Sequence, residues 1–156
     1  MSPTNFAQFA TPDLAEAAFY QAFAHCDLKA MEGIWAHENA VCIHPGSDAL
    51  LGHEAVMSSW GNIFSGAMPP GLNYHVVSRT VNNDLAIHVV QEFISAQDAS
   101  GSSNTNKVLA TNIYRRENGT GWRMLEHHAS VPRISIETGA GEEASSFDSP
   151  GRHTLQ

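Results

Sequence analysis

The sequence predicts an α+β fold, three helices followed by long, mainly antiparallel strands, and two successive patterns predict it. Up to about residue 64, apolar residues recur at helical spacing. From Leu72 onward they alternate or run together in extended stretches separated by Asn, Asp and Gly. A third observation sets the scale: 156 residues, 42% hydrophobic and 15% charged, suit one soluble domain with a real core and not two.

In chain order, residues 1–10 carry no period and read as an N-terminal arm. Thr11-Pro12-Asp13 starts the first helix, with a hydroxyl cap, proline at the first helical position and an acid near the positive end. Its apolar stripe is Leu14, Ala18, Phe19, Ala22, Phe23 and Cys26. Asp27 caps a short second helix carrying Leu28, Met31, Ile34 and Trp35. "NAVCIHPG" is the first strand, stopped by Pro45-Gly46. After Gly52 a third helix shows Val56, Trp60, Ile63 and Phe64 at i, i+4, i+7 and i+8.

"LNYHVVSRTV" and "LAIHVVQEFISAQ" form a hairpin about Asn82-Asn83-Asp84. Residues 98–106, "DASGSSNTN", read as a polar loop. "KVLATNIYRR" and "GWRMLEHHAS" make a second hairpin around Glu117-Asn118-Gly119. Strands of about ten residues twist and curl. A curled sheet closed by helices encloses a pocket. From Pro132 the chain turns to Gly, Ser and acids, so 132–156 reads as a largely disordered tail with "RISIE" as a short pairing segment.

Composition excludes several classes of partner. A net charge of −8 with eight scattered basic residues argues against nucleic acid, which needs clustered Lys and Arg. No apolar run approaches the roughly 20 residues of a spanning helix. The first basic residue is Lys29, so no basic leader is expected and the chain reads as cytoplasmic. Cys26 and Cys42 lack metal-ligand spacing and read as buried small hydrophobes, not a disulfide. The unusual count is nine histidines.

The words "AFYQAFAHCDLKAMEGIWA", "VCIHPG", "LLGHEAVMSSWGNIF" and "LATNIYRRENGTGWRMLEHHAS", in this order, resemble the SnoaL-like branch of the nuclear transport factor 2-like superfamily, over residues 11–131. The resemblance implies a cone-shaped half-barrel, with three N-terminal helices packed on a strongly curved sheet. It also implies a homodimer through the outer sheet face. Relatives include ketosteroid isomerase, polyketide cyclases, small dehydratases and a kinase association domain, so fold alone names no reaction.

The resemblance also directs attention to particular residues. In the isomerase relatives a catalytic acid ends the first strand just before proline, and His44 stands there. A neutral imidazole can take and return a proton near neutral pH; the alternatives are a ligand anchor or a rim histidine bonded to its own turn. The isomerase's oxyanion hole pairs a tyrosine on the first helix with a protonated Asp on a late strand. By the same resemblance these positions fall on Phe19, with Tyr20 one residue off, and near Thr111. The pair is therefore expected to be missing, which argues against steroid isomerisation and leaves Thr111 as a candidate donor.

On the last strand, Trp122, Met124, Glu126, His128 and Ser130 share one face by alternation. The family pattern turns that face inward, with His127 outside. Glu126 and His128 are then expected as a polar floor. Trp60 reads as core or ligand wall. In "LAIHVVQEF" both faces are apolar, so the facing of His88 and Glu92 stays open. His44 and His128 with Glu126 or Glu92 could make a two-His-one-carboxylate set. No compact spacing supports it, and neither metal nor cofactor is expected.

Two functions follow. One is a pocket for an unknown hydrophobic small molecule, with proton transfer by His44, His128 and Thr111 and binding by Glu126, Tyr20, Phe19, Trp60 and Glu92. Isomerisation, dehydration or cyclisation would be the reaction class. The other is a non-catalytic dimeric association module with a residual pocket.

Overall fold

Thr11 opens the first helix as its residue type dictates: its Oγ1 accepts the Leu14 N–H at 3.1 Å. In the computed structural model, which describes residues 8–66 and 68–133, the helix is α1 (Pro12–Ala24). Asp27 caps α2 (Leu28–Ile34) by accepting the Ala30 N–H at 3.0 Å. Two short strands, β1 (Val41–Ile43) and β2 (Leu50–Leu51), precede α3 (His53–Phe64). Four long strands complete the domain: β3 (Gly71–Val81), β4 (Leu85–Gln97), β5 (Ser103–Glu117) and β6 (Gly121–Ser130). The arm before Gln8 and the tail beyond Arg133 lie outside the described residues.

The six strands form one sheet in the order β2-β1-β6-β5-β4-β3. Every neighbouring pair is antiparallel except β1 and β6, which run parallel. The fold is the expected α+β half-barrel: the sheet is curved and unclosed, with the helices on its inner face. Two bulges accentuate the bend, since an extra residue raises local twist. Val77 is the extra residue on β3, and Leu125 on β6.

Phe19, Met31, Ile34, Trp35, Trp60 and Met124 fill the space between helices and sheet, each at most 2% exposed. Phe19 is the hub, edge-on to Tyr20, Phe23, Trp35 and Trp60 at centroid distances of 4.9–6.3 Å. The arm's last residues are pinned to β6, where the Trp122 N–H donates to Phe9 O at 2.8 Å.

Two sequence expectations are corrected. Ser103–Asn106 extend β5 instead of looping, because Asp98 closes a tight turn by accepting the Ser100 and Ser102 N–H groups at 2.9 and 3.0 Å. Leu14 and Ile63, assigned to apolar stripes, are exposed. The face of α1 turned inward instead carries Ala15, Glu16, Phe19 and Tyr20. Cys26 and Cys42 are both free thiols, Cys42 buried and Cys26 partly so.

Candidate functional site

The inner face of the cone collects polar side chains from five elements. Glu16 and Tyr20, one turn apart on α1, lie on one side of that helix. On β4, Ala86, His88, Val90 and Glu92 are buried, so alternation places both polar groups inward. On β5 the buried set includes Asn112 and Tyr114. His127 of β6 is register partner to Cys42 of β1, and His44 follows two residues on, on the same side.

These groups form a continuous chain. The Tyr20 hydroxyl donates to Glu92 Oε2 at 2.7 Å and accepts from Asn112 Nδ2 at 2.9 Å. Asn112 Nδ2 also donates to Glu16 Oε2 at 3.3 Å, and Tyr114 OH donates to the same oxygen at 2.7 Å. Asn112 Oδ1 accepts from His127 Nδ1 at 2.6 Å. Glu16, Glu92, Asn112 and His127 are each no more than 2% exposed. Such groups are tolerated inside a fold only when bonded to one another.

His44 stands at the other end, half-buried. Ser59 Oγ lies 2.8 Å from its Nε2, and Cys42 Sγ lies 3.7 Å from the same nitrogen. Its ring meets Trp60 edge-on at 5.0 Å, and Trp60 in turn lies 6.3 Å from the His127 ring. The indole Nε1 of Trp60 is buried without a hydrogen-bond partner.

Burial sets the protonation states. The Glu92 carboxyl is pushed up to about 7, by desolvation and then by the neighbouring charge of Glu16, against the pull of the Tyr20 hydrogen bond. Burial, reinforced by His44 and His128, lowers His127 to about 3. Burial also lowers His44 below its ordinary value, so its ring is neutral at pH 7. Tyr20 and Tyr114 are raised, by burial first and by the neighbouring carboxylates Glu92 and Glu16, and remain phenols. Desolvation and Glu92 raise Cys42 to about 12, which keeps it a thiol. The site therefore holds a neutral base at one end and, at the other, a carboxyl poised to hold or release a proton.

The bulge at Leu125 overturns the expected facing of β6. Trp122 and Met124 lie inside as alternation requires, but the extra residue inverts the order beyond it. His127 is therefore interior, His128 exposed and Glu126 partly exposed, so these two form no polar floor. Thr111 pairs with Val89 and His128 on the outer face, one residue from the interior Asn112. The His44–His128 metal set falls with this facing. Phe19 belongs to the aromatic core.

Tyr20 and Glu92 are brought together inside the cone. Tyr20, one residue from the expected tyrosine position, is interior, and Asn112, next to Thr111, bonds to it. Sequence reasoning missed Glu16, Asn112, Tyr114 and Ser59, and left His88 open and turned His127 outward. The one available signal was the run of buried-type neighbours at every second residue of β4 and β5, into which these polar residues intrude.

The SnoaL-like domain family matches residues 15–134. A structure from Thiobacillus denitrificans, assigned as a calcium/calmodulin-dependent protein kinase type II association domain, is 38% identical; the match covers 81% of this chain and 98% of that one, with a TM-score of 0.73. A structure from Streptomyces avermitilis, assigned as a dehydratase of the NTF2-like family, is 28% identical over 78% of this chain and 94% of that one, with a TM-score of 0.70. A ketosteroid isomerase-like protein from Erwinia carotovora atroseptica shares the fold, at 17% identity, 78% and 94% coverage and a TM-score of 0.66. No match is found among curated proteins.

Proposed function

We propose that this chain, which belongs to the SnoaL-like domain family, binds an apolar, oxygenated small molecule in its cone and transfers a proton next to a carbonyl. One observation supports the reading: a neutral, half-buried His44 meets Trp60 edge-on, and the Trp60 and His127 rings lead from it to the buried Asn112–Tyr20–Glu92 cluster. His44 is the base. The geometry requires the partly buried Ser59 hydroxyl to rotate away from Nε2 when a substrate enters. Tyr20, whose proton is held by Glu92, can turn it toward a developing oxyanion by exchanging that partner, and Asn112 holds the phenol in place. The unpartnered Trp60 N–H offers a ligand oxygen a further bond, and leaving it unmade costs about 1–3 kcal/mol. The likeness to a dehydratase supports the class of chemistry without naming a substrate.

The test is a thermal-shift screen of hydrophobic ketones and acids, followed by deuterium exchange from heavy water into the α-position of any ligand found. His44→Ala should abolish exchange while leaving the melting temperature within a few degrees. Exchange at the wild-type rate in that variant would remove His44 from the mechanism.

A second reading, that of a dimeric association module, is favoured by the outer sheet face. Leu85, Ile87 and Val89 stand 37–41% exposed along β4, beside Ile113 of β5. A row of apolar residues on an open sheet face is a natural seat for a second copy, and the 38%-identical structure is assigned as an association domain. The two readings are compatible, because the faces they use are opposite. Two free thiols suit a reducing compartment such as the cytoplasm; among the described residues no helix is long and apolar enough to cross a membrane.

A further inference from the structure

We infer that Asp13, Glu16 and His88 form a binding site for a first-row divalent cation, at the end of the cone where α1 begins. Asp13 and Glu16 are three residues apart on α1 and so share a side of the helix. His88 of β4 meets them from the sheet. One ligand atom from each residue lies within 4.8 Å of the other two.

The second observation is the state of His88. Its ring is wholly buried, and Nδ1 lies 3.0 Å from Glu16 Oε2. The approach is off the line of an N–H bond, so neither ring nitrogen makes an aligned hydrogen bond. A buried imidazole is costly in that condition. A cation about 2.1 Å from both atoms would see them about 90° apart, which is cis-octahedral geometry for nitrogen and oxygen donors. Tyr114 and Asn112 fix the orientation of Glu16 by donating to that same Oε2, so an ion on this oxygen shares it with two hydrogen-bond donors. Glu16 and Glu92 also place two carboxyl groups inside the cone, while the nearest guanidinium at this end, Arg79, is exposed.

Arg79 is the competitor. It is register partner to His88 and donates from Nε to Asp13 Oδ1 at 2.8 Å. Both side chains are about half exposed, 49% and 58%, so the pair is weak and yields Asp13 readily. The set of two carboxylates and one imidazole suits Mn²⁺ or Zn²⁺ and leaves coordination positions open. The site stands independently of the proton-transfer reading, since it needs neither His44 nor an organic ligand.

The test titrates the full chelator-treated chain with Mn²⁺, followed by electron paramagnetic resonance, and with Zn²⁺, followed by calorimetry. One saturable ion per chain is expected. Asp13→Asn should weaken it about tenfold or more, His88→Gln should abolish it, and Arg79→Gln should tighten it. Asp13 and Arg79 are exposed, so those two variants report even if His88→Gln fails to fold. His53→Ala is the control, because His53 and His37 stack at 4.5 Å elsewhere and could take an ion by themselves. No saturable binding of either ion, binding indifferent to Asp13→Asn, or binding lost in His53→Ala would overturn the site.

Discussion

His127 Nδ1 lies 2.6 Å from Asn112 Oδ1, an oxygen that can only accept, so the imidazole carries its proton on Nδ1. The amide is oriented by its own two donations, to Tyr20 and Glu16, which leave no choice of flip. A neutral ring is thereby wired, through Asn112 and the Tyr20 hydroxyl, to a carboxyl near its titration point.

That wiring predicts an unusual pH profile of stability. His127, lowered to about 3, favours the fold above its unfolded value near 6.5, and that contribution is lost as pH falls from 6.5 toward 3. Glu92, raised to about 7, does the reverse: stability falls as pH rises from about 4.5 to 7. Each slope is about 1.4 kcal/mol per pH unit, and they oppose between roughly 4.5 and 6.5. Denaturant unfolding of the wild type should be nearly flat there. Glu92→Gln should expose the acid-side loss, and a variant still flat would show that His127 does not titrate as described.

Tyr20→Phe should strip Glu92 of its donor and Asn112 of an acceptor. Without the hydrogen bond that opposes burial, the carboxyl should rise further. The expected loss is about 1–3 kcal/mol, larger at pH 8 than at pH 5. Denaturation at both values checks it; an equal loss at both would mean that the phenol only fills space.

The scaffold was legible in the sequence because it rests on local chemistry. Thr11, Asp27 and Gly52 mark helix starts through caps and backbone geometry that any reader of the chain can find. The inner face was less legible, because α1 turns Glu16 and Tyr20 inward and leaves Leu14 in water. A hydrophobic stripe points the wrong way when the interior is itself polar. The misplacement of His127 and His128 has a single cause. Leu125 is an ordinary strand residue, and nothing in its type announces that β6 bulges there. Bulges are decided by the mismatch of neighbouring strands, which is a property of the folded sheet. The offset from Thr111 to Asn112 is the same kind of error, one residue being enough to exchange faces.

Gly121 should tolerate no side chain. Its φ is +77°, and a Cβ there would run into the Phe9 carbonyl oxygen. Gly121→Ala should therefore break the bridge between Phe9 and β6, including the Trp122 N–H to Phe9 O bond. A loss of about 1–3 kcal/mol is expected, with faster proteolytic clipping of the arm. Unchanged clipping would show that the arm is held by other contacts.

The association reading makes the sharpest demand on the outer face. Ile87 is 41% exposed in the single chain and pairs with Ile113 across the sheet, so it contributes little to the core. A charge there costs the lone chain little, because the position already meets water. In a dimer seated on this face, the same ammonium would be buried without a partner, at several kcal/mol per protomer. Ile87→Lys should accordingly convert a dimer to a monomer by light scattering, with the far-ultraviolet circular dichroism unchanged. Retention of the dimer would move the interface elsewhere. A wild type that is monomeric at the same concentration would remove the association reading and leave the cone as the working part of the molecule.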